Sequence, residues 1–265
     1  MYKVAILLLA LSVLSFGVTT GEAQENTEKY EASNIIDVNG VSLHYAVVGE
    51  GKPVVLVHGN GETHDLFDTE IKQLSEAGYK VYAPDSRGHG ANPPLSEYHY
   101  ADMAEDMYQF IQALDLDKPA YYGHSDGGII GLLLQINHPD ALGLMAISGT
   151  NLSPAGIVPS FIEEFTELNE TDPDPLVTLM LTEPNIDPES LKEISIPVLV
   201  TVGENDLILR SETDTIISEK EISQEKITAV TLTEAKSWGI FSSTFSRKRI
   251  IDVKSSKETG DGSLS

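Results

Sequence analysis

From about residue 41 onward, the apolar positions fall into short strand-like runs that alternate with helical stripes. Val41–Val48 (VSLHYAVV) and Val54–Val57 read as strands, the second running into Gly59-Asn60-Gly61. Phe67–Ala77 reads as an amphipathic helix and Lys80–Ala83 as the next strand. Between Ala101 and Leu114, the residues Met103, Met107, Phe110, Ile111 and Leu114 recur at helical spacing and predict one buried stripe. Ala120–Tyr122 follows Pro119 as a short strand. Gly127–Asn137 (GGIIGLLLQIN) is apolar nearly all round, which predicts a buried helix. Leu144–Ile147 predicts another strand. A Pro- and acid-rich stretch, Asn151–Glu193, then breaks the rhythm before Val198–Val202 resumes it, and Ile227–Leu232 (ITAVTL) reads as the last core strand. Such alternation predicts an α/β fold, a mostly parallel sheet covered on both faces. The interruption at about 151–193 is expected to form a small cap over the sheet's C-terminal edge. Residues 24–34 are polar and read as a flexible lead-in.

Charge narrows the function. The chain carries 17 basic and 41 acidic residues, a formal net charge of −24. Such a surface repels phosphate backbones, so no nucleic-acid partner is expected. There is no cysteine, which excludes disulfides, a thiolate nucleophile and Cys-ligated metal centres. No metal site or cofactor is expected, and the partner expected is a small molecule. Residues 1–23 read as an export signal: Lys3 opens it, Val4–Phe16 is apolar, and Gly21 and Ala23 occupy the −3 and −1 positions of a cut before Gln24. Ser15 and Gly17 offer an earlier cut. The apolar run is too short to span a bilayer, which needs about 20 residues, so no stable membrane anchor is expected. The expected location is periplasmic or secreted.

Chemistry concentrates in three segments. Gly123-His124-Ser125-Asp126-Gly127 fits G-x-S-x-G between a strand and an apolar helix. In that context a sharp turn raises a serine hydroxyl above the sheet, and flanking glycines make room for the strained backbone. Val54–Gly61 (VVLVHGNG) is a strand ending in His-Gly-Asn-Gly, and Ala83–Gly90 (APDSRGHG) follows the next strand. Together HGNGETHDLFD, APDSRGHG and GHSDGGIIGLLL resemble the small, serine esterase-like branch of the α/β-hydrolase superfamily, over about residues 35–235. The resemblance implies Ser125 as nucleophile and the backbone N–H groups of Asn60 and Asp126 as an oxyanion hole. Relatives of this look that act on epoxides or haloalkanes carry aspartate at the nucleophile position; serine there implies acyl transfer, on carboxylic esters above all. The acid implied is Asp206 in VLVTVGENDLI, with Glu204 second.

The family order of serine, acid and histidine places the base after Asp206. No histidine follows it: the seven are His44, His58, His64, His89, His99, His124 and His138. His58 and His89 belong to the turn motifs and are expected to be structural. His44 sits on an early strand, His138 ends its helix, and His99 is expected at the surface or facing the cap. His64 alone lies near the presumed oxyanion loop and is the one candidate for a substitute base.

The last thirty residues differ from the rest. Residues 1–235 hold 11 basic and 38 acidic residues, whereas residues 236–265 hold 6 and 3, with eight serines and no helical stripe. The codons of Trp238, Gly239 and Ile240 are TGG, GGN and ATH. Read from the third base of the first, they give GGG and then NAT, which is CAT, histidine, if Gly239 uses GGC. A one-base slip would restore Gly-His where the family places it. The expected organisation is therefore a signal over 1–23, an α/β-hydrolase domain over 24–235, and an aberrant, disordered tail over 236–265. Two readings follow: a serine hydrolase impaired as written, or a catalytically inactive α/β-hydrolase-fold protein that binds a ligand.

Overall fold

The structure is a computed structural model, and it describes residues 29–203, 205–221 and 227–232. Strands β1 (Asn34–Val38) and β2 (Val41–Val48) form a hairpin around Asn39-Gly40. Both turn residues have positive φ, 43° and 77°, the two-residue turn whose twist matches the strands it joins. Next come β3 (Lys52–Val57), a 3₁₀ turn (His64–Phe67), α1 (Asp68–Glu76), β4 (Tyr79–Pro84) and α2 (Tyr100–Ala113). Then follow β5 (Ala120–His124), α3 (Asp126–Asn137) and β6 (Leu144–Ser148). The cap segment holds α4 (Pro159–Thr171) and α5 (Pro175–Thr182), and the chain returns through β7 (Val198–Gly203), α6 (Arg210–Glu221) and β8 (Ile227–Leu232).

The eight strands form one sheet in the order β1-β2-β4-β3-β5-β6-β7-β8. Its first two pairings are antiparallel and the rest parallel. Alternate residues of β3 serve opposite faces. Val55 and Val57 pack with Met103, Met107 and Phe110 of α2 and Ile129 and Ile130 of α3. Val54 and Leu56 pack with Phe67, Ile71 and Leu74 on the α1 side. Burial on both faces is why these strands read as continuous apolar runs. The parallel strands all end at one edge, where β3 gives way to His58-Gly59-Asn60, β5 to Ser125, β6 to Gly149 and β7 to Asp206. That edge is the site.

The structure refines several sequence expectations. The strand β1 begins at Asn34, at the end of the stretch read as lead-in. The predicted helix Phe67–Ala77 is α1, entered through a 3₁₀ turn over His64–Phe67. Helix α6 was not signalled, and the cap contains two helices and not only irregular chain. The signal over 1–23 and the tail over 236–265 lie outside the described residues.

Candidate active site

Ser125 joins β5 to α3 with φ 50° and ψ −115°, a strained backbone for a residue with a side chain. The glycines around it are required by space. A Cβ on Gly123 would sit 2.2 Å from the Gly127 carbonyl oxygen, and one on Gly127 would sit 2.0 Å from that of Val57. The turn is tied to the neighbouring strand by the Ser125 N–H, which donates to the Ser148 carbonyl at 2.7 Å. The Ser125 carbonyl accepts the N–H groups of Gly128 at 2.8 Å and Ile129 at 3.2 Å, starting α3 directly behind the serine. Ser125 is half-exposed.

The loop after β3 lies against this turn: a Cβ on Gly59 would come 3.0 Å from the Cβ of Ser125. Its amides are dealt with one by one. The Gly59 N–H donates to Glu62 Oε2 at 2.9 Å, and the Gly61 N–H donates to His89 Nε2 at 3.2 Å. None of the described residues accepts the Asn60 N–H. The Asn60 side chain instead donates to the Leu176 carbonyl of α5 at 3.2 Å, linking this loop to the cap.

Two neutral histidines hold the loop. His58 Nδ1 donates to the Gly59 carbonyl at 2.8 Å while Nε2 accepts the Ser86 N–H at 2.9 Å. Burial pushes its pKa down to about 4. His89 Nδ1 donates to the Arg87 carbonyl at 3.0 Å, leaving Nε2 to accept from Gly61, and burial lowers its pKa as well. Arg87 in turn is anchored by a buried fork: Nε lies 2.7 Å from Asp106 Oδ2 and Nη2 2.5 Å from Oδ1. Asn39 Nδ2 donates to the same carboxylate at 3.0 Å.

Of the expected acids, Asp206 is the one the structure places. Its Oδ2 accepts the Gly203 N–H at 3.0 Å and its Oδ1 the Ile208 N–H at 3.1 Å. The carboxylate lies 3.4 Å from the position a Cβ on Gly149 would take. Gly149 follows Ser148, which bonds Ser125, so Asp206 and Ser125 flank the end of β6. Glu204 lies outside the described residues. Asp126 is buried beside Ser125, and its carboxyl is pushed up to about 7, chiefly by burial, with the Tyr100 hydroxyl and the Asn60 amide opposing the shift.

His64, the one candidate for a substitute base, is turned to other partners. Its Nδ1 lies 2.8 Å from Asp85 Oδ1 and its Nε2 2.8 Å from the Tyr30 carbonyl, so both ring nitrogens are engaged away from Ser125. His138 caps α3 through its N–H and stacks on Tyr108 at 3.6 Å. His99 is exposed and pairs with Glu183 of the cap segment at 2.7 Å. The roles of Glu62 and Tyr100 were not read from sequence, whereas His89 holds its turn as expected. Among the described residues no three ligating side chains gather to hold a metal.

A family model described as the α/β-hydrolase fold matches residues 52–179, the stretch that carries the loop after β3, the Ser125 turn and the larger part of the cap. The chain has the α/β-hydrolase fold. It is 36% identical over 124 residues to a serine hydrolase, BPHL, of Homo sapiens, covering 44% of this chain and 42% of the relative. It is 31% identical over 119 residues to bifunctional epoxide hydrolase 2 of Sus scrofa, covering 44% of this chain and 21% of the relative. The chain thus matches well under two thirds of either relative's length. Among solved structures, an esterase from Exiguobacterium antarcticum superposes with a TM-score of 0.63 at 20% identity, covering 74% of this chain and 89% of that one. The meta-cleavage product hydrolase of Pseudomonas fluorescens IP01 superposes with a TM-score of 0.59 at 20% identity, covering 76% and 88%. These likenesses speak to the fold alone.

Proposed function

We propose that the chain is an exported serine hydrolase of the esterase-like kind, working by acyl transfer to Ser125 and built for small carboxylic esters. The observation that carries this reading is the positive-φ turn at Ser125, at the N-terminus of α3 and against Gly59. Attack by the Ser125 Oγ on an ester carbonyl forms the tetrahedral intermediate. The Asn60 N–H, left without a partner beside two satisfied neighbours, and the Asp126 N–H, at the first position of α3, are the donors proposed for its oxyanion. Asp206 is proposed as the acid that orients the histidine. Relatives named as an epoxide hydrolase and as a serine hydrolase leave the choice to the residue at the turn, and serine favours acyl chemistry.

The missing histidine favours a second reading, a ligand-binding protein that keeps the pocket and has lost the chemistry. Removing one triad member commonly costs several orders of magnitude, so both readings expect very slow turnover by the chain as written. A fluorophosphonate probe separates them. A chain corrected by one base near codon 238 should be labelled at Ser125, as mapped by peptide mass, and its Ser125→Ala variant should not. A corrected chain that stays unlabelled would favour the binding-protein reading.

A further inference from the structure

The cap is joined to the candidate site by side chains to which the proposed chemistry gives no role. We propose that α5 is pinned at both ends to the parts that build the oxyanion site, by the Asn60 side chain at Leu176 and by the Glu183 carboxylate at Tyr100. Asn60 and Glu183 are then positioning residues, and the oxyanion donor depends on how the cap is seated. This rests on the reading of the Asn60 N–H as that donor.

In the first turn of α5, the Leu176 carbonyl accepts from Asn60 Nδ2 at 3.2 Å. Just past its last turn, Glu183 reaches back to the start of α2, where its Oε2 accepts the Tyr100 N–H at 3.0 Å. Tyr100 is the first residue of α2, so that N–H has no partner inside the helix, and the helix dipole favours a carboxylate there. His99 Nδ1 lies 2.7 Å from Glu183 Oε1, but the ring is exposed and such a pair adds little. The Tyr100 pin is the shielded one: Tyr100 is buried and Glu183 half-buried.

The two pins meet at Asp126. The Asn60 amide and the Tyr100 hydroxyl both face its carboxyl, the side chain of the residue that follows Ser125. Leu176, Asn60, Asp126, Tyr100 and Glu183 thus link one end of α5 to the other through the site. Within the oxyanion loop, Glu62 and His89 accept the N–H groups of Gly59 and Gly61. Asn60 lies between them, and its side chain carries the contact to the cap. The pins are not all that seats α5. Leu179 is buried in the core and Leu176 packs against it. Asn169 of α4 donates to Thr178 Oγ1 at 3.0 Å, and Asp174 Oδ1 accepts the Leu176 N–H at 2.7 Å. Loss of a pin therefore leaves the helix docked and shifts its ends. With eight residues, α5 is a rod about 12 Å long, so a tilt that starts at Glu183 reaches Leu176 and the Asn60 amide.

Hydrogen exchange and nitrogen-15 NMR on the full chain as written test the coupling without turnover. Glu183→Ala should lower protection of the α5 amides about tenfold, the worth of one hydrogen bond to a charged group. The backbone and side-chain amide resonances of Asn60, at the far end of α5, should move with it, while β5 and β6 keep their protection. Glu183→Gln, which still accepts the Tyr100 N–H, should restore both readings. Asn60→Ala should in return lower protection of the Tyr100 N–H, because coupling between two sites is reciprocal. Unchanged α5 protection in Glu183→Ala, Asn60 resonances that stay in place, or equal losses across β5 and β6 would each overturn the proposal. In the chain corrected near codon 238, Glu183→Ala should also slow fluorophosphonate labelling of Ser125 about tenfold or more, and an unchanged rate would overturn the positioning role. A corrected chain that never labels counts against the serine-hydrolase reading, and the exchange result still decides the pins.

Discussion

The Asp206 carboxylate is held by the end of its own strand, its Oδ2 accepting the Gly203 N–H at 3.0 Å. Its other oxygen takes the Ile208 N–H at 3.1 Å, so the carboxylate is fixed by the backbone of its own turn. Asp206→Ala leaves both amides without their acceptor, and an unsatisfied amide of that kind costs about 1–3 kcal/mol. Urea unfolding of Asp206→Ala should show a loss of that order even in the chain as written. No loss would mean that the carboxylate is not held in this way.

The buried fork between Arg87 and Asp106 supports the loop that positions His89. Asp106 is fully buried and Arg87 8% exposed, so removing Arg87 strands the Asp106 charge, and removing Asp106 leaves Arg87 only the half-exposed Asp102 carboxylate at 3.2 Å. Asp106→Ala should destabilise the chain by about 3–5 kcal/mol. Arg87→Met combined with Asp106→Leu should cost clearly less than the sum of the single changes, because nothing charged is left uncompensated. Additive losses in a double-mutant cycle would contradict the pairing.

Acid should weaken the fold through His58. Its folded pKa is about 4, below the ordinary 6.5, so the unfolded chain takes up a proton that the folded chain refuses. The His58 contribution is thus unaffected above pH 6.5 and declines as pH falls from there to about 4, by up to ~3 kcal/mol. Asp126 and Glu70, both pushed up to about 7, have the opposite sign and lose stability as pH rises toward 7. The measurement is therefore a difference: native minus His58→Gln, by urea unfolding at several pH values. That difference should shrink on acidification. A flat difference would show that the ring is not held neutral.

Most of the sheet was legible because strands buried on both faces leave continuous apolar runs, and Ile227–Leu232 was delimited by pattern alone. The exceptions have physical reasons. The strand β1 is short and lies at the sheet edge, with Ile35 58% exposed, so it leaves little apolar trace. Helix α6 buries Thr213 and Ile216 and packs Ile217 against the core but is otherwise polar, so two adjacent isoleucines leave no helical stripe to read. At the site, Ser125 and its glycines were readable because the turn's sterics demand those residues in sequence. The supports were not, because they join distant segments: His89 to Gly61, His64 to Asp85, Arg87 to Asp106. His64 is the instructive case. Proximity in sequence to Asn60 suggested a base, whereas its partner lies 21 residues on.

The most direct measurement of the central claim is hydrolysis of a short-chain activated ester by three proteins: the chain as written, the chain corrected by one base near codon 238, and the corrected chain with Ser125→Ala. Because no histidine follows Asp206, the chain as written should turn over several orders of magnitude more slowly than the corrected one. The Ser125→Ala variant should return the corrected chain to that low level. Full Ser125-dependent turnover by the chain as written would contradict the account, because a base other than a histidine after Asp206 would then be serving Ser125.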